Sequence, residues 1–391
     1  MAASAKKFIK DAAEAAAAAA AATATLLGLV DSNRTTVEVG SVHLGNGLAA
    51  HRLRADPLAP GLELVGGRSA EPHPFGPIRC AGDCRLSLQQ GHDRRRLFGR
   101  QARQMHGKTH EDIKTIRPLK DGVIADFEAS EAMIREMIKS IPNLKGRMIP
   151  PVLRMVICIP SGITEVEKRA VRDSAEHAGA REVYLIHEPM AAAIGTGVDV
   201  QEPKGNMIID IGGGTTEIAV LALGGIVADK SIKVAGDVFT NDISYYMRTQ
   251  HNLYVGERTA EEIKIQIGSA LDELDNPPED MPVQGRDLLT GKPKQIIVTY
   301  KEISKALDKS IMRIEDAIME ALSMTPPELA ADIYNSGIYM AGGGSMLRGL
   351  DKRVSMKTDL PVYVAEDPLR AVVRGTGIAL KNIGKFNFLM K

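Results

Sequence analysis

Cysteine is scarce, with three in 391 residues (Cys80, Cys84 and Cys158), too few for a disulfide framework. The Cys80/Cys84 pair lacks the second ligand pair that a structural zinc site requires. Net charge is absent as well: 49 basic residues balance 49 acidic ones, which argues against nucleic-acid binding through bulk charge. No stretch reaches the roughly 20 apolar residues of a membrane-spanning helix. The nearest, Ala15 to Val30, is mostly alanine and threonine, follows Lys6, Lys7 and Lys10, and is interrupted upstream by Asp11 and Glu14. It reads as an alanine-rich tail or a surface-lying helix rather than an export signal. A reducing cytoplasm is the simplest home for such a chain, and its length suffices for two or more cores.

What is present divides into two textures. Residues 33–99 contain one isoleucine (Ile78), no lysine and no tyrosine, while arginine, glycine, histidine, proline and leucine crowd the segment. Few apolar periodicities survive there, and the local consistency of a folded region is missing. From Arg100 onward the chain reads as a patterned α/β protein. A strand over Val152 to Ile159, a turn at Pro160-Ser161-Gly162, a helix opened by the capping box Thr164 to Glu167, and a strand over Val183 to Ile186 form a crossover unit, which implies parallel sheet. Glu188-Pro189 starts a short helix through Ala191 to Ala193. Three strands in meander follow (Met207 to Ile211, Glu217 to Leu223, Ile226 to Val234), then helices over about Val238 to Thr249, Ala260 to Leu271 and Tyr300 to Met324. Gly337 to Met340 reads as a late strand, with a glycine turn behind it that enters a helix.

The richest stretch is Asn206-Met-Ile-Ile-Asp210-Ile-Gly-Gly-Gly-Thr-Thr-Glu217. An acidic residue closes a buried strand, Gly212, Gly213 and Gly214 follow, and Thr215 and Thr216 lead into the next strand. Glycines let backbone N–H groups approach an anion, so this hairpin suits phosphate oxygens. Asp210 is placed to hold the water shell of a hard divalent cation. The bland alternative is a ligand-free glycine hairpin. A similar pattern of strand, glycine triplet and hydroxyl recurs at Ile338 to Ser345, and two amide nests could grip two parts of one ligand. Without an acidic residue, the second nest suits a nucleoside or its α-phosphate, or is simply a tight strand-to-helix turn.

The segments Gln104 to His110, Ile116 to Asp126, Glu188 to Gly195, Asp210 to Glu217 and Ala341 to Ser345 closely resemble the MreB family of bacterial actin-like cell-shape proteins. The resemblance spans about Arg100 to Lys391. It implies an actin-like two-lobed ATPase fold of the α/β class, with ATP and Mg2+ in the cleft. Residues 1–32 would be a tail, 33–150 the first lobe, and 151–391 the second lobe with a C-terminal return to the first. Carried over by position, Asp210 and Gly212 to Thr215 form a phosphate loop with Asp210 at the metal, and Glu188 orients the attacking water. Glu261, Glu262, Ile263 and Lys264 resemble the adenine and ribose segment, where exposed salt-bridging charges would look the same. Gly342, Gly343, Gly344, Ser345 and Met346 resemble the adenosine-side loop. His187 stands where the family usually carries glutamate.

The resemblance further implies self-assembly into filaments at the inner face of the cytoplasmic membrane, with the cell-wall elongation machinery and no nucleic acid as partners. Rival readings are a sugar or acetate kinase, a chaperone ATPase lobe pair, which the lack of a following peptide-binding domain weighs against, and a nucleotide-dead relative. The last draws on one departure: the family's first phosphate loop carries an aspartate, whereas the candidate here, Gly45, Asn46 and Gly47, follows His43, a poor magnesium ligand. Plausible synonymous codons for Leu88 to Arg96, read one base out, spell a peptide resembling the family strand before the Gln104 segment. A reading-frame shift within residues 45–98 therefore accounts for the odd composition. Resequencing the coding DNA across those codons should find insertions or deletions whose repair restores a normal strand pattern; an intact frame would sink this explanation.

Overall fold

The computed structural model describes residues 152–391 continuously; earlier residues are described at 26–30, 36–41, 86–89, 96–97, 102, 105–108, 113–120, 123–124 and 126–140. Strands β1 (Leu26–Val30), β2 (Thr36–Ser41), β3 (Leu86–Gln89), β4 (Arg96–Leu97), β5 (Ile113–Ile116), β6 (Leu119–Lys120) and β7 (Val123–Ile124) precede helix α1 (Phe127–Ser140). The crossover β8 (Val152–Ile159), α2 (Glu165–His177), β9 (Ala180–His187) follows, and α3 (Glu188–Thr196) begins with no intervening loop. Next come β10 (Asn206–Ile211), β11 (Thr216–Ala222), β12 (Gly225–Ile232), α4 (Gly236–His251), β13 (Leu253–Tyr254), α5 (Glu257–Ile267), β14 (Met281–Asp287) and β15 (Pro293–Val298). The chain continues through α6 (Tyr300–Ser323), α7 (Pro327–Ser336), β16 (Ile338–Ala341), α8 (Leu350–Thr358), β17 (Val362–Val364) and α9 (Ala371–Lys381).

Two sheets position the site. The first has the order β1-β2-β8-β9, with β8 parallel to both β2 and β9, as the crossover predicts. The second has the order β12-β11-β10-β16-β17; β10 to β12 form the antiparallel meander, and β16 and β17 run parallel to β10. Every residue of β10 and β11 is buried because this sheet is covered on both faces. On one face Met207, Ile209, Ile211, Ile218 and Val220 share a core with Phe239, Ile263 and Ile311 of α4, α5 and α6. On the other, Ile208, Ala219, Leu221 and Ala341 pack with α3 and α9. The alternation of odd and even residues between two cores is the period of two that strand geometry imposes.

Several boundaries differ from the sequence reading. Helix α5 stops at Ile267, before the expected Leu271, because Gly268 leaves the helix in extended backbone pressed against Lys264 O. The turn Gly343–Met346 is a single 3-10 turn, and a helix resumes only at Leu350. The hairpin β14–β15 was not anticipated; its turn is set by Asp287 Oδ1, which accepts from the N–H groups of Leu289 (2.7 Å) and Thr290 (3.2 Å). Helix α6 opens on a capping box in which Thr299 and Glu302 satisfy each other's backbone N–H groups.

Helices α3 and α9 touch backbone to backbone. A Cβ on Gly195 would lie 1.7 Å from Ala371 O, and one on Gly375 would lie 1.8 Å from Ala191 O. Only glycine fits at either crossing point, and the flanking Ala191 to Ala193 keep the rest of the interface thin. Gly197, at the end of α3, is different: it has φ +89° with nothing within 4 Å of an added Cβ. G195A should therefore lower stability by about 3 kcal/mol or more through overpacking, whereas G197A should cost only about 1 kcal/mol of backbone strain. Chemical denaturation of the two variants compares them, and equal losses would contradict the packing account.

Candidate functional site

The site grows from the ends of two neighbouring parallel strands. Asp210 pairs with Ala341 across β10 and β16, so the chain leaves both strands at one level and enters a glycine turn from each. In the first turn Gly212 N–H donates to Thr215 O (2.9 Å), closing the hairpin between β10 and β11. The second turn crosses directly over it. Gly342 has φ +80°, and a Cβ there would stand 2.3 Å from Ile211 O and 2.4 Å from Asp210 Oδ1. At Gly344 an added Cβ would meet Ile211 Cγ2 at 2.2 Å. Glycine at these two positions follows from the approach of one turn to the other. Ser345, buried, donates through Oγ to Gly342 O (2.7 Å) and fixes the second turn, while Met346 is exposed.

Helix α4 is stacked on the first turn, with Gly236 N–H donating to Gly212 O (3.2 Å) and Asp237 N–H to Gly213 O (2.8 Å). Lys264 of α5, itself buried, secures this junction: Nζ donates to Gly236 O (2.7 Å) and Thr240 Oγ1 (2.9 Å). Of the adenine-side candidates, Glu261 is buried on the same helix, Ile263 lies in the core, and Glu262 pairs with Arg258 at 3.0 Å. Arg117, just after β5, joins the first turns of α4 and α5 by contacting Asp237 (2.7 Å) and Glu257 (3.3 Å). The candidates Gly45, Asn46 and Gly47, with His43, lie outside the described residues.

Three carboxylates converge here. Glu188 is the first residue of α3, 1% exposed, with Oε1 buried and lacking a hydrogen-bond partner in the protein. Asp210 is 2% exposed, and its Oδ1 is likewise unpartnered. Burial drives the Glu188 carboxyl well above the usual range, and Glu217 and Asp210 add to that. Asp210 is pushed up to about 7 by burial and by Glu217. The third acid, Glu217, sits directly opposite Asp210 in the hairpin. It is also raised by burial, but both of its oxygens are engaged: Oε2 accepts from Ser161 Oγ (2.8 Å) and N (3.3 Å), and Oε1 from Ser231 Oγ (2.6 Å). The sequence reading assigned it no role, although its symmetry with Asp210 about the glycine turn was visible. Two open, buried carboxylate oxygens beside a glycine hairpin suit a hydrated cation and a polyphosphate. Among the described residues no cluster of three or more His, Cys, Asp or Glu could cage a metal, so any ion would keep water or phosphate oxygens as most of its ligands.

A crossover sheet joined to a meander sheet, with paired glycine turns at the strand ends, is the plan of an actin-like α/β protein. Within that class the family model for the MreB/Mbl protein matches residues 86–387, and the chain belongs to that family. It is 46% identical to the cell shape-determining protein Mbl of Bacillus subtilis (strain 168) over 287 residues, 73% of this chain and 85% of the relative. It is 47% identical to the cell shape-determining protein MreB of Escherichia coli (strain K12), covering 73% of this chain and 81% of the relative. The crystal structure of MreB5 of Spiroplasma citri bound to ADP superposes with a TM-score of 0.71 at 37% identity, over 77% of this chain and 90% of that one. The MamK double helical filament shares the fold, with a TM-score of 0.64 at 22% identity over 76% and 91% of the two chains.

The buried acids give a pH signature. A carboxyl raised from 3.8 to about 7 on folding favours the native state fully below pH 3.8, and this contribution is lost as pH rises through about 7. D210N should therefore raise the melting temperature of the ligand-free protein by several degrees at pH 8 and by much less at pH 5. Calorimetry at both values checks this, and an equal shift at both would contradict it.

Proposed function

We propose that this chain is an ATP-dependent, actin-like filament protein that determines rod shape by organising cell-wall synthesis beneath the cytoplasmic membrane. The observation that carries the reading is the crossing of two glycine turns beside Asp210 and Glu188, whose open oxygens have no protein partner. Family membership supports the cell-shape role, and the ADP and AMPPNP complexes of Spiroplasma citri MreB5 support a nucleotide at this position. In this reading the first lobe runs beyond the expected boundary at residue 150, because β8 and β9 share a sheet with β1 and β2, and α9 returns to pack on β2 and β8.

In this reading the Gly212 to Thr215 turn takes phosphate oxygens through N–H groups other than that of Gly212, which is bonded to Thr215 O, and the Gly342 to Met346 turn takes the nucleoside side. Glu261 and Lys264 lie along the adenine and ribose edge, with Glu262 outside them. Asp210 Oδ1 would hold the water shell of Mg2+, an ion that would supply neutralisation of the phosphate charge. Glu188 Oε1 accepts a hydrogen bond from the attacking water and aligns it, and its raised affinity for protons suits it to receive one as the water attacks. Filaments follow from head-to-tail contacts, which need not close into rings.

Sedimentation tests the reading. The full chain should pellet with ATP and Mg2+ and stay soluble without them. D210A should bind a fluorescent ATP analogue at least roughly tenfold more weakly, and E188A should retain binding while hydrolysing ATP roughly 100-fold more slowly. Pelleting that ignores nucleotide, or phosphate transfer to a sugar, would overturn the proposal.

A further inference from the structure

Glu217 differs from its two neighbours because nothing about it is left open. Its three hydrogen bonds come from two segments: Ser161, in the turn after β8, and Ser231, its partner on β12. Ser161 follows a strand of the first sheet and Glu217 lies in the second, so this carboxylate ties the β8 end of the first sheet to the hairpin of the second. The turn is gripped from the other side as well. His187, the last residue of β9, pairs with Ile159 across the sheet, and its Nδ1–H donates to Pro160 O at 3.2 Å. His187 immediately precedes Glu188, and Glu217 immediately opposes Asp210. The run His187, Pro160, Ser161, Glu217 is thus a continuous hydrogen-bonded strap from the base of one open carboxylate to the base of the other.

Two features show that the strap does more than fill space. Glu217 is 1% exposed and has both oxygens engaged by three hydrogen bonds, so its position is fixed by them. The groups at the strap's two ends, Glu188 Oε1 and Asp210 Oδ1, are buried with no protein donor, so their relative placement is set from behind rather than by bonds to each other. A glutamine at 217 keeps the shape, but its amide nitrogen donates and cannot accept a hydrogen bond from serine.

We infer that Glu217 is a positioning residue which, through Ser161 and the His187–Pro160 bond, sets the separation between Glu188 and the Asp210 hairpin. The inference rests on the nucleotide reading above and adds a specific device to it. Catalytic groups tolerate little displacement, so loosening the strap should lower turnover more than binding.

S161A removes the 2.8 Å bond and leaves the backbone N–H, while S161T retains a hydroxyl. In the full chain S161A should slow ATP hydrolysis roughly tenfold, with affinity for a fluorescent non-hydrolysable ATP analogue within about twofold of wild type, and S161T should recover most of the rate. Without any nucleotide, E217Q should accelerate amide hydrogen exchange in residues 159–163, a readout that does not depend on activity. Wild-type turnover in S161A would overturn the inference alone, as would equal losses of turnover and analogue affinity, or unchanged exchange in E217Q. A wild-type chain that neither binds nor hydrolyses ATP would overturn the nucleotide reading and this inference with it.

Discussion

The crowding of three buried carboxyls at one corner is the constraint around which this molecule is arranged. Glu188, Asp210 and Glu217 all lie within the protein, and each carries a carboxyl displaced upward by burial. Such a cluster costs free energy unless dipoles or hydrogen bonds surround it. Glu188 is set at the first residue of α3, where the helix dipole favours an anion. Glu217 is saturated with hydroxyl and amide donors. Helix α4 directs its first N–H groups onto the carbonyls of Gly212 and Gly213 in the glycine turn. The two-faced core of β10 and β11 supplies the stability against which this cost is set.

The glycines at 342 and 344 belong to the same logic. They let one turn lie across another at distances no side chain permits, which places Asp210 at the crossing. The buried ammonium of Lys264 acts here through backbone: it grips the carbonyl of Gly236 and thereby steadies the helix that caps the hairpin. The same Nζ also donates to Thr240 Oγ1, so one side chain joins two points of that helix.

Much of this was legible in the sequence, and the parts that were not have definite causes. The crossover β8–α2–β9 and the meander β10 to β12 were readable because strand residues are β-branched and the turns are short and glycine-rich. The pairing of the two glycine turns was visible as repetition, though not their crossing, which depends on the parallel register of β10 and β16. The hairpin β14–β15 went unread because Pro282, Gln284, Gly285 and Arg286 break its apolar alternation, and one side of it faces water. Glu217 closes the glycine motif with no role evident from the sequence, since its donors, Ser161 and Ser231, are identifiable only once the two sheets are joined. The helix ending at Ile267 was overextended because Ala270 and Leu271 continue an apolar pattern past a glycine whose close packing only the fold reveals.

The reciprocal glycines of α3 and α9 carry a consequence for how the protein comes into being. Gly195 and Gly375 are separated by nearly half of the 391-residue chain, yet their helices complete each other's surface atom for atom. During synthesis, α3 leaves the ribosome long before its partner exists, and its alanine-rich face, with the second face of the central sheet, waits uncovered. Contacts of such long range close slowly, so the last core to form is the one directly beneath Glu188. The corner that holds Glu188 is thus the part whose assembly is governed by translation order, and it is the last to be protected from misassembly with a neighbouring nascent chain.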